Sequence, residues 1–344
     1  MMTMSHFTSG VIGWDIGGVN TKAVLVPSLE CQSLPLEIQH DREALSSVLR
    51  ALAGALGANA GPHAITMTAE LSQAFRTKRE GVGVILDAVE RAFPDGDLHV
   101  YTVAGRFLSP KEAREQPLEV AASNWAATAR LVARFVPDGI LVDIGTTSTD
   151  IIPIVNGEVA AVGRTDPARL ASGELVYTGA LRTPCEAVTG EVTFNGESCA
   201  VSADGFALMG DVHLWSGRLS PEDYTVRAPD GRPATREFAG ERLARMVCGD
   251  REMLTDDGVT EIAGSLADAQ CRRVADAIAR VRERHPHLEQ AIVTGLGDFI
   301  AADASRRVGL GVVHLADRLG SAARTAPAAA VAWLLAERLS GPGR

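Results

Sequence analysis

Two stretches of this chain end an apolar run in an aspartate, turn through glycine and small polar residues, and resume as an apolar run. The first is GWDIGGVNTKAVLV from Gly13, the second LVDIGTTSTDIIPI from Leu141. They align without a gap: Asp15 meets Asp143, Ile16 meets Ile144, Gly17 meets Gly145 and Thr21 meets Thr149. A turn of this composition lets main-chain N–H groups approach a phosphate while short side chains add donors. In the first copy Gly17, Gly18, Asn20 and Thr21 form that surface and Lys22 adds a positive charge. In the second, Gly145, Thr146, Thr147, Ser148 and Thr149 do the same. Asp15 and Asp143 repel a phosphate directly, so they suit a magnesium ion held through its water shell. One such turn is equally explained as a tight β-turn with glycine at positive φ; two aligned copies mark a duplication and argue for shared chemistry.

A third segment, AIVTGLGDFIA from Ala291, runs a strand through Gly295-Leu296-Gly297 into a helix. Such a turn can lay glycine backbone beside a diphosphate or a nucleotide, and as a lone motif it is equally a plain strand-to-helix connection. Glu70 follows the strand Ala64 to Thr68, where α/β sheets place ligands; it either recognises an amine or caps a helix. Arg164, Asp166, Arg169 and Arg182 surround the segment SGELVYTG and can meet substrate anions, although charged loop residues are usually solvated. His213, Cys185, Cys199 and Cys248 are zinc-binding types without paired spacing, so buried thiols and a surface histidine are expected rather than zinc. Trp125 and Trp215 could stack on an aromatic substrate; core packing is the commoner use.

These residues need a scaffold, and the pattern supplies one. Strands are expected at Val11 to Asp15, Ala23 to Val26, Ala64 to Thr68 and His99 to Val103, with helices at Arg42 to Leu56, Val82 to Phe93 and Ser123 to Phe135. Ser123 reads as an N-cap and Pro137 as a stop. A second cycle opens with Gly139 to Asp143 and Ile151 to Val155. Asn156-Gly157 and Asn195-Gly196 are hairpin turns, the latter joining Glu191 to Phe194 with Ser198 to Val201. Helices follow at Ala234 to Asp250 and Ala269 to His285, then an Ala-rich helix from Ala326 to Leu339 that packs back on the body. The reading is α/β, in two duplicated lobes: residues 1–137 with the first hairpin, and 138–325 with the second hairpin and the third glycine segment. The C-terminal helix occupies 326–344.

At 344 residues the chain is too long for one ordinary core. Hydrophobic residues at 46% and charged residues at 22% fit a globular protein and exclude a disordered one. A net charge of −10 without a basic run argues against nucleic-acid binding, so an anionic substrate must be held by local donors. Five scattered cysteines, with no Cys-x-x-Cys pair, argue against a disulfide framework and for a reducing cytoplasm. Met1 to Gly10 lacks a leader pattern, and no window is apolar enough to span a membrane.

The segments DIGGVNTK, VDIGTTSTD and VTGLGD stand in the order of the two phosphate motifs and the adenosine-side motif of the actin-like ATPase superfamily, which the chain resembles. Within it the chain is similar to the hydantoinase/oxoprolinase branch. More narrowly it resembles the methanofuran-biosynthesis enzymes encoded with tetrahydromethanopterin-linked one-carbon pathways, through MTAELSQAF at Met67, ASNWAATA at Ala122 and GRTDPARLASGELVYTGALRTP at Gly163. The resemblance implies two ribonuclease-H-like lobes around a central cleft. It also implies a cytoplasmic transferase that joins an aminomethyl-furan methyl diphosphate to the phenol oxygen of tyramine or γ-glutamyl-tyramine, releasing diphosphate. The expected site is Asp15, Lys22 and Asp143 for catalysis, with magnesium on the two aspartates. Gly17, Gly18, Asn20, Thr21, Gly145, Thr146, Thr147, Ser148, Gly295 and Gly297 would hold phosphate, and Glu70, Arg164 and Arg182 the rest of the substrate. Partners are small molecules, with self-association left open. A single Gly-x-Gly is short for an adenosine pocket and weighs against ATP. The alternatives are an ATP-dependent small-molecule kinase or oxoprolinase-like ATPase, and a nonenzymatic nucleotide sensor.

Overall fold

The computed structural model of the chain describes residues 10–57 and 61–341; of the N-terminal stretch read for a leader, residues 1–9 lie outside the described residues. Along the first part run β1 (Val11–Ile16), β2 (Asn20–Val26), β3 (Glu30–Pro35), α1 (Leu45–Ala55), β4 (Pro62–Met67), α2 (Lys78–Ala92), β5 (Asp97–Tyr101), β6 (Phe107–Leu108), α3 (Pro110–Glu115), α4 (Pro117–Val120) and α5 (Asn124–Ala133). The second cycle runs through β7 (Gly139–Ile144), β8 (Thr149–Val155), β9 (Glu158–Val159), α6 (Asp166–Ser172), β10 (Leu175–Val176), β11 (Glu191–Phe194), β12 (Glu197–Ala200), α7 (Met209–Trp215), α8 (Arg236–Arg245), α9 (Asp256–Arg284), β13 (Gln290–Thr294), α10 (Asp298–Arg307) and β14 (Gly311–His314). Then come α11 (Ala316–Leu319) and α12 (Ala326–Ser340).

The two cycles build two sheets that share a five-strand topology, β6 extending the first and β9 pairing with β8 in the second. One has the order β3-β2-β1-β4-β5-β6, the other β10-β8-β7-β13-β14. In the first, β2 is antiparallel to β1 and β3 to β2, while β4 and β5 run parallel to β1. In the second, β10 is antiparallel to β8, while β13 is parallel to both β7 and β14. A hairpin followed by parallel crossover strands is thus built twice, which is what the sequence repeat requires. The central strands β1 and β7 are buried along their full length, as strands covered on both faces must be, and each carries its aspartate one residue from its C-terminal end.

The described residues divide into two compact units: those within 1–138, 154–160 and 315–344, and those within 139–153 and 161–314. The sequence reading put 138–325 in one lobe; residues 154–160 go with the first unit because β9 packs on α5. The chain re-enters that unit at Leu315. There α12 lies directly on β1: a Cβ on Gly13 would meet the Ala328 carbonyl at 2.0 Å, so glycine on the strand and small residues on the helix make this approach possible.

Local signals account for most boundaries. Asn156-Gly157 and Asn195-Gly196 take positive φ at both positions, as a two-residue hairpin turn demands. Ser109 and Glu112 form a capping box at the start of α3. Ser123 is a correction: it precedes α5, but its hydroxyl bonds Thr66 Oγ1 and the Tyr101 carbonyl instead of capping. The helix expected from Ala269 starts at Asp256, capped by Thr255; Gly258 and Gly264 obscure a buried face of Val259, Ile262, Ala263 and Leu266. No helix of the described residues is long and apolar enough to cross a membrane.

Candidate functional site

The first hairpin turns between β1 and β2. Its register pairs Asp15 with Lys22 and Ile16 with Thr21, and the Gly17 amide donates to the Asn20 carbonyl at 3.0 Å. A Cβ on Gly17 would lie 2.8 Å from that carbonyl oxygen, so the turn closes only around glycine. The following chain ties down the outer carbonyls: the Ile38 amide donates to Gly18 and the Leu36 amide to Val19. In a trans peptide C=O and the next N–H point in opposite directions, so the amides of Val19 and Asn20 are turned away from that segment. Asp15 is buried, with Lys22 Nζ 3.4 Å from its Oδ2. Its Oδ1, and the Thr21 hydroxyl, are buried without a hydrogen-bond partner. The amide of Thr68, just past β4, donates to the Ile16 carbonyl and brings Thr68 Oγ1 within 3.6 Å of the position of a Gly17 Cβ.

The second hairpin repeats the device. The Gly145 amide donates to the Ser148 carbonyl at 3.0 Å. Residues 178–182 then form a strap beneath the turn: the Ala180 amide donates to the Gly145 carbonyl, and those of Leu181 and Arg182 to the Thr146 carbonyl. The amides of Thr146 and Thr147 therefore face away from the strap, and neither donates to another backbone group among the described residues. Two adjacent N–H groups held in parallel are a site for an anion. Thr149 is a correction to the expected donors: its hydroxyl is buried and donates to the Thr178 carbonyl at 2.7 Å, leaving it no proton for a ligand. Asp143, also buried, sits in register with Thr294 of β13.

A hydantoinase/oxoprolinase model matches residues 62–338. The chain belongs to the hydantoinase/oxoprolinase family. A protein of Methanocaldococcus jannaschii named (4-{4-[2-(gamma-L-glutamylamino)ethyl]phenoxymethyl}furan-2-yl)methanamine synthase is 36% identical over 96% of this chain and 98% of its own length. A protein of the same name from Methanococcus vannielii is 36% identical over 48% of this chain and 73% of its own. Among solved structures, nucleotide-free acetone carboxylase superposes with a TM-score of 0.51 at 15% identity, over 86% of this chain and 46% of that one, a likeness of fold alone. The fold is of the actin-like ATPase class, one strand topology repeated in two units.

In this hydantoinase/oxoprolinase family member the third glycine segment packs behind Asp143. Gly295 has φ +91, and a Cβ there would lie 2.3 Å from the Ile144 carbonyl oxygen; one on Gly297 would lie 2.5 Å from Ile144 Cγ2. The Gly297 amide donates to that same carbonyl. Both glycines are thus required by the close approach of β13 to the end of β7. Glu70, in a short turn of helix after β4, is 1% exposed, with Lys78 Nζ 3.4 Å away. Arg182 is half-buried at the end of the strap and Arg164 is exposed before α6. Arg169 is corrected from a loop charge to a buried one: it bonds Asp150 at 2.7 Å and the Glu174 carbonyl, while Glu174 accepts the amides of Val162 and Gly163. Asp166 begins α6.

His213 is likewise buried rather than on the surface, and burial lowers its pKa to about 4. Of the cysteines expected to be buried, Cys185 is buried, Cys199 half-buried and Cys248 exposed. Trp125 and Trp215 are buried, the latter with the Arg236 guanidinium 3.8 Å over its ring. What sequence reading missed is the strap itself. Thr178, Gly179, Thr183 and Gln270 support the second turn, and the only local hint was the glycine following β10.

Proposed function

We propose that this chain joins an aminomethyl-furan methyl diphosphate to the phenol oxygen of tyramine or γ-glutamyl-tyramine, releasing diphosphate, in methanofuran or methylofuran assembly. The observation that carries this reading is 36% identity, across nearly the whole of both chains, to a synthase whose name describes a furan methyl aryl ether bearing a glutamylated amine. In the step, a phenol oxygen–CH₂ bond forms as the CH₂–O–phosphate bond breaks. The electron pair leaves with diphosphate and the phenol proton is lost. The furan oxygen can feed charge to the exocyclic carbon, so the protein's main task is to stabilise the departing anion and keep water out.

The hairpins suit that task. The Thr146 and Thr147 amides are fixed before any ligand arrives, so they need no reorganisation as charge grows on the leaving oxygens. Lys22 adds a cation in the first hairpin. Magnesium fits the same reading, because Asp15 Oδ1 is a buried oxygen without a hydrogen-bond partner. Among the described residues no cluster of three His, Cys, Asp or Glu side chains could hold a metal ion. Asp15 in the first hairpin and Asp143, its counterpart in the second, are the carboxylates that would each face such an ion through its water shell, and the ion would supply charge to neutralise the leaving group. Glu70 is the candidate for the furan ammonium, which its buried carboxylate could pair with as it does with Lys78. The unpaired, scattered cysteines support a cytoplasmic setting.

The rival kinase or ATPase reading draws on the third glycine segment, and both of its glycines are already accounted for by contact with Ile144. The test is to incubate the protein with an aminomethyl-furfuryl diphosphate, γ-glutamyl-tyramine or tyramine, and magnesium. Mass spectrometry should find the ether, with one diphosphate released per turnover. ATP-dependent consumption of the phenol with release of ADP would replace this reading by the kinase one.

A further inference from the structure

A line of buried polar side chains in the second unit ends at the second turn, and the proposed chemistry leaves it unused. Gln270 of α9 is 1% exposed and His213 of α7 is 3% exposed. His213 Nε2 lies 2.8 Å from Gln270 Oε1, and Gln270 Nε2 lies 2.9 Å from Thr178 Oγ1 and 2.8 Å from the Gly179 carbonyl. The roles follow from one fact: a carbonyl can only accept. The amide nitrogen of Gln270 must therefore face Gly179, its oxygen faces His213, and His213 carries its proton on Nε2. Thr183 completes the set, accepting the Gly179 amide at 2.9 Å and lying 3.2 Å from the Thr178 hydroxyl.

Gly179 is where this line meets the site. A Cβ there would lie 2.6 Å from the backbone of both Thr146 and Thr147, so its main chain rests directly against the peptide whose amide is to meet the anion. The next three amides of the strap hold the Gly145 and Thr146 carbonyls. Whatever sets the height of Gly179 therefore sets the direction of the Thr146 and Thr147 amides. The side chains that set it are Gln270 and Thr183, with His213 fixing which way the Gln270 amide is turned.

We propose that Gln270 is a positioning residue for the diphosphate group, oriented by His213 and acting through the Thr178–Arg182 strap. This rests on the reading that the second turn binds diphosphate. The alternative is that a buried polar cluster merely stabilises the lobe, and a variant that only unfolds cannot separate the two. The measurement is therefore affinity in folded protein, with inorganic diphosphate as the probe in calorimetry and KM for each substrate as the kinetic readout.

Gln270→Met keeps the volume and removes the donor to Gly179. It should weaken diphosphate binding about tenfold, the scale of one buried hydrogen bond, and raise the KM of the diphosphate substrate alike. The KM of the phenol should stay within about twofold. Thr183→Val, which removes the acceptor of the Gly179 amide by a second route, should give the same selective loss. His213→Leu should weaken binding, and His213→Gln, which offers an Nε2 donor in nearly the same place, should restore most of it. Equal losses for both substrates, or a lower melting temperature with diphosphate affinity unchanged, would overturn the positioning role. If the wild-type protein binds no diphosphate, the reading of the turn fails and the proposal with it. If the wild type binds and Gln270→Met binds equally well, only the proposal fails.

Discussion

Gly295 and Asp143 share a space that admits no side chain at residue 295: a Cβ there would lie 2.5 Å from Asp143 Oδ1. The glycine that resembles part of a nucleotide motif thus serves as the floor beneath a carboxylate of the candidate site. A methyl group at 295 must displace either the strand end or the carboxylate.

Gly295→Ala should accordingly lose turnover by at least about tenfold, because the aspartate is moved rather than removed. It should also lose about 1–3 kcal/mol of stability to strain at positive φ. Gly309→Ala is the control. It has φ +75 with open space around it, so it carries the strain without touching the site. Thermal melts and initial rates on both variants decide the matter: comparable activities would show that the Gly295 contact does not set the place of Asp143.

Asp15→Asn and Asp143→Asn should each fold and each lower turnover by at least about a hundredfold, through lost metal or diphosphate positioning. Both side chains are buried, so circular dichroism and melting curves must accompany the rates. Lys22→Ala should weaken diphosphate binding about tenfold and leave the phenol KM unchanged, since its charge serves the anion. It also strips Asp15 of its ion-pair partner, so Lys22→Arg is informative: recovery of diphosphate affinity would assign the effect to charge. Wild-type rates in both aspartate variants would remove the hairpins from the mechanism.

What could be read in the sequence is what is written locally. The hairpins were legible because strand, aspartate, glycine and strand follow one another within a few residues, and the duplication because its copies align without a gap. The Asn-Gly turns were legible for the same reason. The support beneath the second turn was not: His213 and Gln270 are separated by 57 positions and meet only when α7 packs on α9. Arg169 looked like a loop charge because its partner Asp150 lies 19 positions earlier, on β8. β3 was missed because it is an exposed edge strand, Glu30–Pro35, without the apolar alternation that marks a half-buried one.

Acid should destabilise the fold through two buried histidines. Burial lowers both His213 and His63 from 6.5 to about 4, and His63 accepts the Trp14 indole N–H at 3.1 Å on its Nδ1. Between about pH 6.5 and pH 4 the unfolded chain binds protons at these sites that the folded chain does not, so stability is full above that range and falls as pH drops through it. The melting temperature should decline across this window. His213→Gln, which cannot titrate, should make the decline shallower. An unchanged slope in that variant would mean that His213 is not held neutral in the folded protein.

Both hairpins have their glycines and their tied carbonyls, whereas Gly295 and Gly297 are accounted for by packing against Ile144. If the turns recognise a diphosphate that arrives on the furan, ATP should bind only through its phosphates. Inorganic diphosphate should then compete with the furan substrate about as well as ATP does, and adenosine should not compete. A bulky residue at 297 is a poor probe of this, because it would push on Ile144 and so on the end of β7, disturbing Asp143 at the same time. Ligands are the cleaner tool. Calorimetry with magnesium should give dissociation constants for diphosphate and ATP within about threefold of each other, a difference of less than about 1 kcal/mol. ATP binding tighter than diphosphate by a hundredfold or more, on the order of 3 kcal/mol, would require a nucleobase site and would return the chain to the kinase or ATPase reading.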